Sequence, residues 1–327
     1  MRKKGSAAFH GGALFPAMME KNGSMEHLVK RLSQLSATFI VLIVVGLLFV
    51  LGRAAMPAFQ AFGFPFFVTS VWNPVTGHFG ALAAIYGTLV TSFLALLMAL
   101  PIGFGIAFFL VEIAPPPVVK PLRIAIELLA GIPSIVYGFW GLFVLAPLFQ
   151  DRVQPFLTDR FGALPVVGRL FEGPGFGVGM LTAGCVLAIM VLPFLAAFLT
   201  DVFKSVSPLL KESAFALGAT RWEVMSSIVT PSVWAGVLGG VMLALGRALG
   251  ETMAVTFVIG NAHRLSASLL APGTTISASI ANEFNEATSD LHTASLLALG
   301  LTLFAITFAV LACGKSLVLV LEKRKGA

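Results

Sequence analysis

Six long apolar runs dominate the chain, at about 36–56, 84–111, 122–148, 177–200, 233–260 and 293–321, with polar or Pro/Gly-rich stretches between them. A hydrocarbon core about 30 Å thick is crossed by roughly 20 apolar residues in an α-helix. Every run reaches that length, and several exceed it, so tilt or protruding ends must absorb the excess. Segments of about ten residues with alternating polarity, the signature of an outer-membrane barrel, do not occur. The pattern predicts an all-α membrane protein of six transmembrane helices. The first run is too long for the apolar centre of a cleaved signal peptide and is expected to remain as the first helix.

Composition strengthens that reading. Hydrophobic residues make up 57% of the 327 positions and charged residues 11%, against roughly 45–50% and 25% in a soluble domain. So few charges cannot coat a globule of this size. A soluble enzyme, a disordered chain and a nucleic-acid binder are all excluded, the last despite a net charge of +6.

The charges inform by position, because cytoplasmic loops collect Lys and Arg. Alternate connections hold Arg2, Lys3, Lys4, Lys21, Lys30, Arg31, Lys120, Arg123, Lys204, Lys211, Arg221, Lys323, Arg324 and Lys325 on one side. The other side holds only Arg53, Arg152, Arg160, Arg169 and Arg264, while Arg247 and Lys315 lie within apolar runs. Both termini are therefore expected in the cytoplasm, giving a cytoplasmic tail over 1–35, a transmembrane region over 36–322 and a short tail over 323–327. Three connections face outside, at about 57–83, 149–176 and 261–292. The second is punctuated by Pro155, Pro165, Gly173, Pro174 and Gly175, and the third carries Glu283, Glu286 and Asp290. They could receive a partner protein or serve as plain connectors. Cys185 and Cys313 stand alone in apolar stretches and read as packing residues, with no Cys/His cluster to suggest a metal site.

A charge near the bilayer centre costs at least about 2.5–3.5 kcal/mol, which makes it a functional candidate. The fifth run carries Arg247 and Glu251, four residues apart and so able to pair on one helical face. Arg247 could line a path and hydrogen-bond the oxygens of an anion, with Glu251 holding it in place. The pair could equally be a structural lock between helices. Glu127, nearer the cytoplasmic end of the third run, is a weaker candidate of the same kind. Gly236, Gly239, Gly240, Gly246 and Gly250 around the pair permit close helix packing, and Pro133 should kink the third helix.

The one sizeable inside loop reads PLLKESAFALGATRWEVMSSIVTPS over 208–232. Apolar residues at near-helical spacing, an interrupting Gly218 and a second helical stretch make a protruding elbow, expected over about 208–222, which could lie on the membrane surface or dock in a groove of a partner. Its acidic as well as basic residues weaken the lipid reading. This loop resembles that of the permeases of ATP-binding-cassette importers, whose pattern is EAA, three residues, Gly, nine residues, Ile, one residue, Leu-Pro. Here it is Glu212-Ser213-Ala214, Gly218, Ile228 and Thr230-Pro231, with Ser213 and Thr230 as departures. The resemblance implies a type I importer permease fold of the MetI-like kind, with the elbow as the helix that couples to a cytoplasmic ATPase. Glu212 would cap or salt-bridge at that interface and Gly218 would allow the bend.

A phosphate-cradling GxxxxGK[ST] loop is approached only by Gly314-Lys315-Ser316, which has Ala309 five residues before it and sits inside the sixth run. The chain is thus expected to be no enzyme and to bind no cofactor, with ATP and Mg held by a separate subunit. The strings GRALGETMAVTFVIGN, AGIPSIVYGFWG and ANEFNEA are similar to the permeases of high-affinity phosphate importers. That resemblance implies a PstA-like second permease, two PstB-like ATPases, a PstS-like phosphate-binding protein outside, and phosphate as cargo. A sulfate or molybdate permease would share the fold and the arginine. An ATP-independent channel or carrier would leave the elbow unexplained, and a purely regulatory membrane subunit is a further alternative.

Overall fold

The computed structural model describes residues 14–325 except Val166 and Pro174, and side chains between 25 and 319 except residue 26 and those two. Arg2, Lys3, Lys4 and Pro174 lie outside the described residues, as do the side chains of Lys21, Lys323, Arg324 and Lys325. The chain divides into two compact units, Met1–Arg53 and Ala54–Ala327. The described part of the first belongs to helix α1 (Leu14–Phe62). Its Phe39, Leu42 and Phe49 are 65%, 63% and 68% exposed, a run of bare apolar side chains that suits lipid rather than water.

In the second unit a hairpin of β1 (Trp72–Asn73) and β2 (His78–Phe79) pairs Trp72 with Phe79 and Asn73 with His78. Asn73 Oδ1 closes it by accepting from the Val75 and Thr76 N–H groups, at 2.9 and 3.2 Å. Helix α2 (Leu82–Ile113) follows, then α3 (Pro116–Ala130), α4 (Ser134–Phe161) and α5 (Met180–Lys204). The elbow comprises α6 (Pro208–Ala216) and α7 (Arg221–Ser232), and the latter bends by 79° into α8 (Trp234–Leu249). After α9 (Met253–Thr256) and α10 (Ile276–Glu283), α11 (Asp290–Lys325) ends the described chain. Among the described residues five helices, in α1, α2, α4, α5 and α11, are long and apolar enough to cross a membrane, and the bent pair α7–α8 makes six if it is one span.

Two expected spans are corrected. The third does not run over 122–148: it stops at Gly131 and restarts at Ser134, so the crossing segment is Ser134–Phe161. Pro133 is the cause, since it lacks an N–H and pushes Ile132 away from helical geometry. Arg152 and Arg160 consequently belong to the far end of α4 rather than to a loop starting at 149. The fifth run does not stay helical to 260, because α8 ends at Leu249 with Gly250 as its cap.

Helices α2 and α5 form the centre of the core. Methyl groups at Gly103 and Gly184 would press on Leu195 and Leu94 at 3.3 and 3.0 Å, and Phe104 meets Phe203 edge-on at 5.3 Å. Small residues let helices approach closely in lipid, where dispersion and shape must hold them together. Gly236 and Gly240 do this for α8, against Val202 and Phe198 of α5. Gly239 has no such neighbour within 4 Å and plays no part in this contact.

A polar seam joins α2 to α10. Thr88 Oγ1 accepts the Ile276 N–H at 2.9 Å while donating to Ala84 O at 2.7 Å. Gly87 lies so close to the Thr274 carbonyl that any Cβ would collide with backbone. Gly105, in the same helix, has open space around it. Gly87→Ala is therefore expected to destabilise by about 1–3 kcal/mol or more, and Gly105→Ala to be neutral or stabilising by up to about 1 kcal/mol. Thermal inactivation of the purified proteins checks the contrast, and equal loss in both would refute it.

Candidate functional site

Local chemistry builds the elbow. Pro208 opens α6 in its first turn, where an amide donor would be unpaired anyway. The helix ends in a Schellman turn: Ala219 N–H reaches Ala214 O at 3.1 Å and Gly218 N–H reaches Phe215 O at 2.9 Å. Gly218 adopts φ +88°, a left-handed value with no Cβ penalty only for glycine. Thr220 then starts α7 in a capping box. Its Oγ1 accepts Glu223 N–H at 3.3 Å, and Glu223 Oε2 accepts Thr220 N–H at 2.7 Å. That Thr-x-x-Glu signal was readable in the sequence and marks where the second arm begins.

The motif residues divide between two faces. Ala214 is buried in the core and Ile228 packs against it. Glu212, Ser213, Gly218 and Pro231 are exposed, and Glu212 has no hydrogen-bond or ion-pair partner among the described residues. Ser213 Oγ only returns to Leu209 O, at 2.7 Å. Leu209 and Leu217 stand 70% and 90% exposed, so the elbow presents an apolar face rimmed by a free carboxylate. Thr230, where the motif has Leu, buries a hydroxyl with no hydrogen-bond partner, which explains why an apolar residue fits there.

One contact was not foreseen. Glu112, at the end of α2, forms an ion pair with Lys211 of α6, with Nζ 2.6 Å from Oε1. The Glu112 backbone oxygen accepts from Arg221 Nη1 at 2.8 Å. Only the strong charge of Glu112 at a helix end hinted at this, because its partners lie about a hundred residues away.

Arg247 occupies the last turn of α8, where the negative end of the helix dipole favours a cation. It is exposed, its Cζ sits 6.0 Å from the Phe194 ring centroid, and no carboxylate pairs with it among the described residues. The expected Arg247–Glu251 pair on one helical face is not formed, because the helix stops between them. Glu251 instead turns to α9, with Oε1 accepting the Ala254 N–H at 3.2 Å. Glu127 is also otherwise engaged: it is exposed on α3, where Arg123 Nε binds its Oε1 at 2.8 Å and Arg123 Nη2 reaches Asp201 of α5 at 3.0 Å. The structure brings the elbow motif together; it does not gather Arg247, Glu251 and Glu127 into one ion-pair network. Gly314, Lys315 and Ser316 lie inside the continuous helix α11, with Gly314 against Met242.

Of the acidic residues in the 261–292 connection, Glu286 and Asp290 are exposed but Glu283 turns inward. Trp72 Nε1 donates to its Oε2 at 2.7 Å, and His263 and His292 Nε2 lie 2.8 and 3.0 Å from its two oxygens. The rings stack in pairs, Trp72 on His263 and Phe79 on His292, each at 5.0 Å. Burial pushes the Glu283 carboxyl up, but the hydrogen bonds from His263, Trp72 and His292 outweigh it and hold the group below its ordinary 4.5.

A bundle of this kind with an EAA-type elbow defines the membrane subunit of a binding-protein-dependent importer. Residues 79–326 match the family described as the binding-protein-dependent transport system inner membrane component, and the chain belongs to it. It is 54% identical over 292 residues to a relative from Mesorhizobium japonicum named phosphate transport system permease protein PstC, covering 89% of each chain. A protein of the same name from Pasteurella multocida is 52% identical, covering 92% of this chain and 94% of its own. Among solved structures, a bacterial ABC transporter involved in import of the acidic polysaccharide alginate aligns with TM-score 0.55 at 18% identity, over 90% of this chain and 98% of that one. The inward-facing MetNI methionine ABC transporter aligns with TM-score 0.53 at 15% identity, over 73% and 94%. These two likenesses establish the shared permease fold.

Two outcomes follow from the geometry. Gly218→Val should raise amide exchange of residues 214–219 roughly 5- to 150-fold, the equivalent of about 1–3 kcal/mol of left-handed strain, while Gly218→Asn should change it far less. Equal exchange in the Val variant would contradict the turn assignment. For Glu283, a depressed folded pKa means the stabilisation is complete above the ordinary 4.5 and is lost as pH falls through the lower folded value. Melting temperature followed from neutral pH into that acid range should fall in wild type, and Glu283→Gln should lower the neutral value and flatten the acid limb.

Proposed function

We propose that this chain is one of two permease subunits of an ATP-driven phosphate importer. The observation that carries the reading is identity above 50% along nearly the whole chain with phosphate transport permeases. An elbow of the ATPase-coupling type, with Glu212 unengaged and an apolar face exposed, supports it. The chain itself hydrolyses nothing and holds no cofactor. ATP and Mg belong to two PstB-like ATPase subunits, one of which receives this chain's elbow in a cleft on the cytoplasmic side. A PstA-like permease completes the path, and a PstS-like binding protein delivers phosphate from outside. Both termini face the cytoplasm of a bacterial inner membrane, in keeping with the excess of Lys and Arg on that side.

Arg247 is assigned to the path. A bare guanidinium on a lipid-facing surface would be costly, so the exposed face of α8 is one that the second permease and water cover. The Phe194 ring and the helix end stabilise its charge without occupying all its donors, which leaves N–H groups for an oxyanion. Glu251 shapes the break after α8, and Glu127, tied to Arg123, braces α3 against α5 instead of meeting the anion.

Labelled-phosphate uptake in cells lacking the chain, complemented with wild type or variants, tests this. Wild type should restore uptake that excess sulfate and molybdate leave intact. Arg247→Ala should lower it about 10- to 100-fold at normal assembly, the scale of one charge-assisted hydrogen-bonded contact, with Arg247→Lys partly active. Suppression by sulfate or molybdate would reassign the cargo, and full uptake by Arg247→Ala would return this arginine to a structural role.

A further inference from the structure

Both arms of the elbow converge on Glu112. Helix α2 widens into a π-helical turn over Phe109–Ile113, which leaves carbonyls at its end in need of donors. From the arm before Gly218, Lys211 pairs with the Glu112 carboxylate at 2.6 Å, with side chains only 15% and 7% exposed. From the arm after it, Arg221 donates to the Glu112 carbonyl at 2.8 Å, and Trp222 meets Phe108 edge-on at 5.6 Å. A mostly buried ion pair cannot slip without stranding a charge in a poor solvent. The two arms and the end of α2 are thus tied as one body, with the Gly218 turn left outside the tie. Beyond it, α2 packs along α5, whose Phe194 lies under Arg247.

We propose that Glu112 is a positioning residue that fastens both elbow arms to α2, so that a displacement of the elbow by its partner is delivered to the α2–α5 pair instead of being absorbed at Gly218. This rests on the elbow's role in ATPase coupling proposed above. The test uses the complete complex with its own partner subunits in proteoliposomes, reading phosphate moved per ATP hydrolysed. Glu112→Gln and Lys211→Met should each lower that ratio about fivefold or more, with hydrolysis retained. The double variant should do no worse than either single, because the two share one interaction, and Lys211→Arg should keep the wild-type ratio. A covalent tie gives a second measurement that does not depend on charge. In a background with Cys185 and Cys313 replaced by Ala, Glu112→Cys/Lys211→Cys should be uncoupled when free and recover coupling when bridged by a short bis-methanethiosulfonate linker. Wild-type ratios in the single variants overturn the proposal, as does a bridge that arrests transport. Where Glu112→Gln fails to assemble, the bridged pair decides alone. Wild-type hydrolysis that is indifferent to the permeases would retire the coupling reading before any variant is compared. In wild type, permease-dependent hydrolysis without phosphate movement would retire the cargo alone, and the ratio is then read with sulfate or molybdate.

Discussion

In hydrocarbon a backbone N–H or C=O that loses its helical partner has no water to turn to, and this constraint governs where the chain can depart from helix. Each interruption comes with its own repair. At the Gly131–Pro133 break the Tyr137 hydroxyl donates to Leu129 O at 2.8 Å, back across the gap. After α8, Gly250 N–H still reaches Gly246 O at 3.3 Å, and Glu251 accepts the Ala254 N–H in the first turn of α9. Further on, the irregular stretch before α10 is held by Gly179 N–H to Val258 O at 2.9 Å, Gly273 N–H to Ile259 O at 3.0 Å and Leu181 N–H to Leu269 O at 2.7 Å. Broken helices survive here because donors and acceptors of the protein itself replace the partners lost at each break.

Those breaks decide which charges are paired. A helix that ended nowhere would hold Arg247 against its own neighbours. By stopping at Leu249 the chain puts the guanidinium at the negative end of a dipole and sends the nearest carboxylate, Glu251, to another task. The same economy of charge appears at the elbow, where Glu112 takes both Lys211 and Arg221 and leaves Glu212 free. An exposed ion pair contributes little. A mostly buried one such as Glu112–Lys211 resists separation because each partner would be left charged and unsolvated.

Much of this was legible along the chain. Run length identified the spans of α2, α5 and α11 closely and the centre of α1, which extends well beyond 36–56 at both ends. The spacing of Glu212, Ala214, Gly218 and Ile228 identified the elbow, because helix length and turn geometry are local properties. Pro133 announced a disturbance in the third run, but hydropathy alone could not say that the crossing segment moves to Ser134–Phe161, since apolar residues continue on both sides of the break. The four-residue spacing of Arg247 and Glu251 was misleading for a related reason. Periodicity assumes an unbroken helix, and the cap at Gly250 removes that assumption.

By itself, then, the sequence determined the solvent, the class of bundle and the place of the elbow, each of which depends on residues near one another in the chain. Only the tertiary structure decided which charges meet. Glu283 turns from an outward acidic loop residue into an acceptor for Trp72, His263 and His292, and Glu112 finds a partner 99 positions away. Such pairings follow from helix packing set by glycine contacts such as Gly87 on Thr274 and Gly240 on Phe198. Packing of that kind is a sum over many distant surfaces, and no local stretch of sequence carries it.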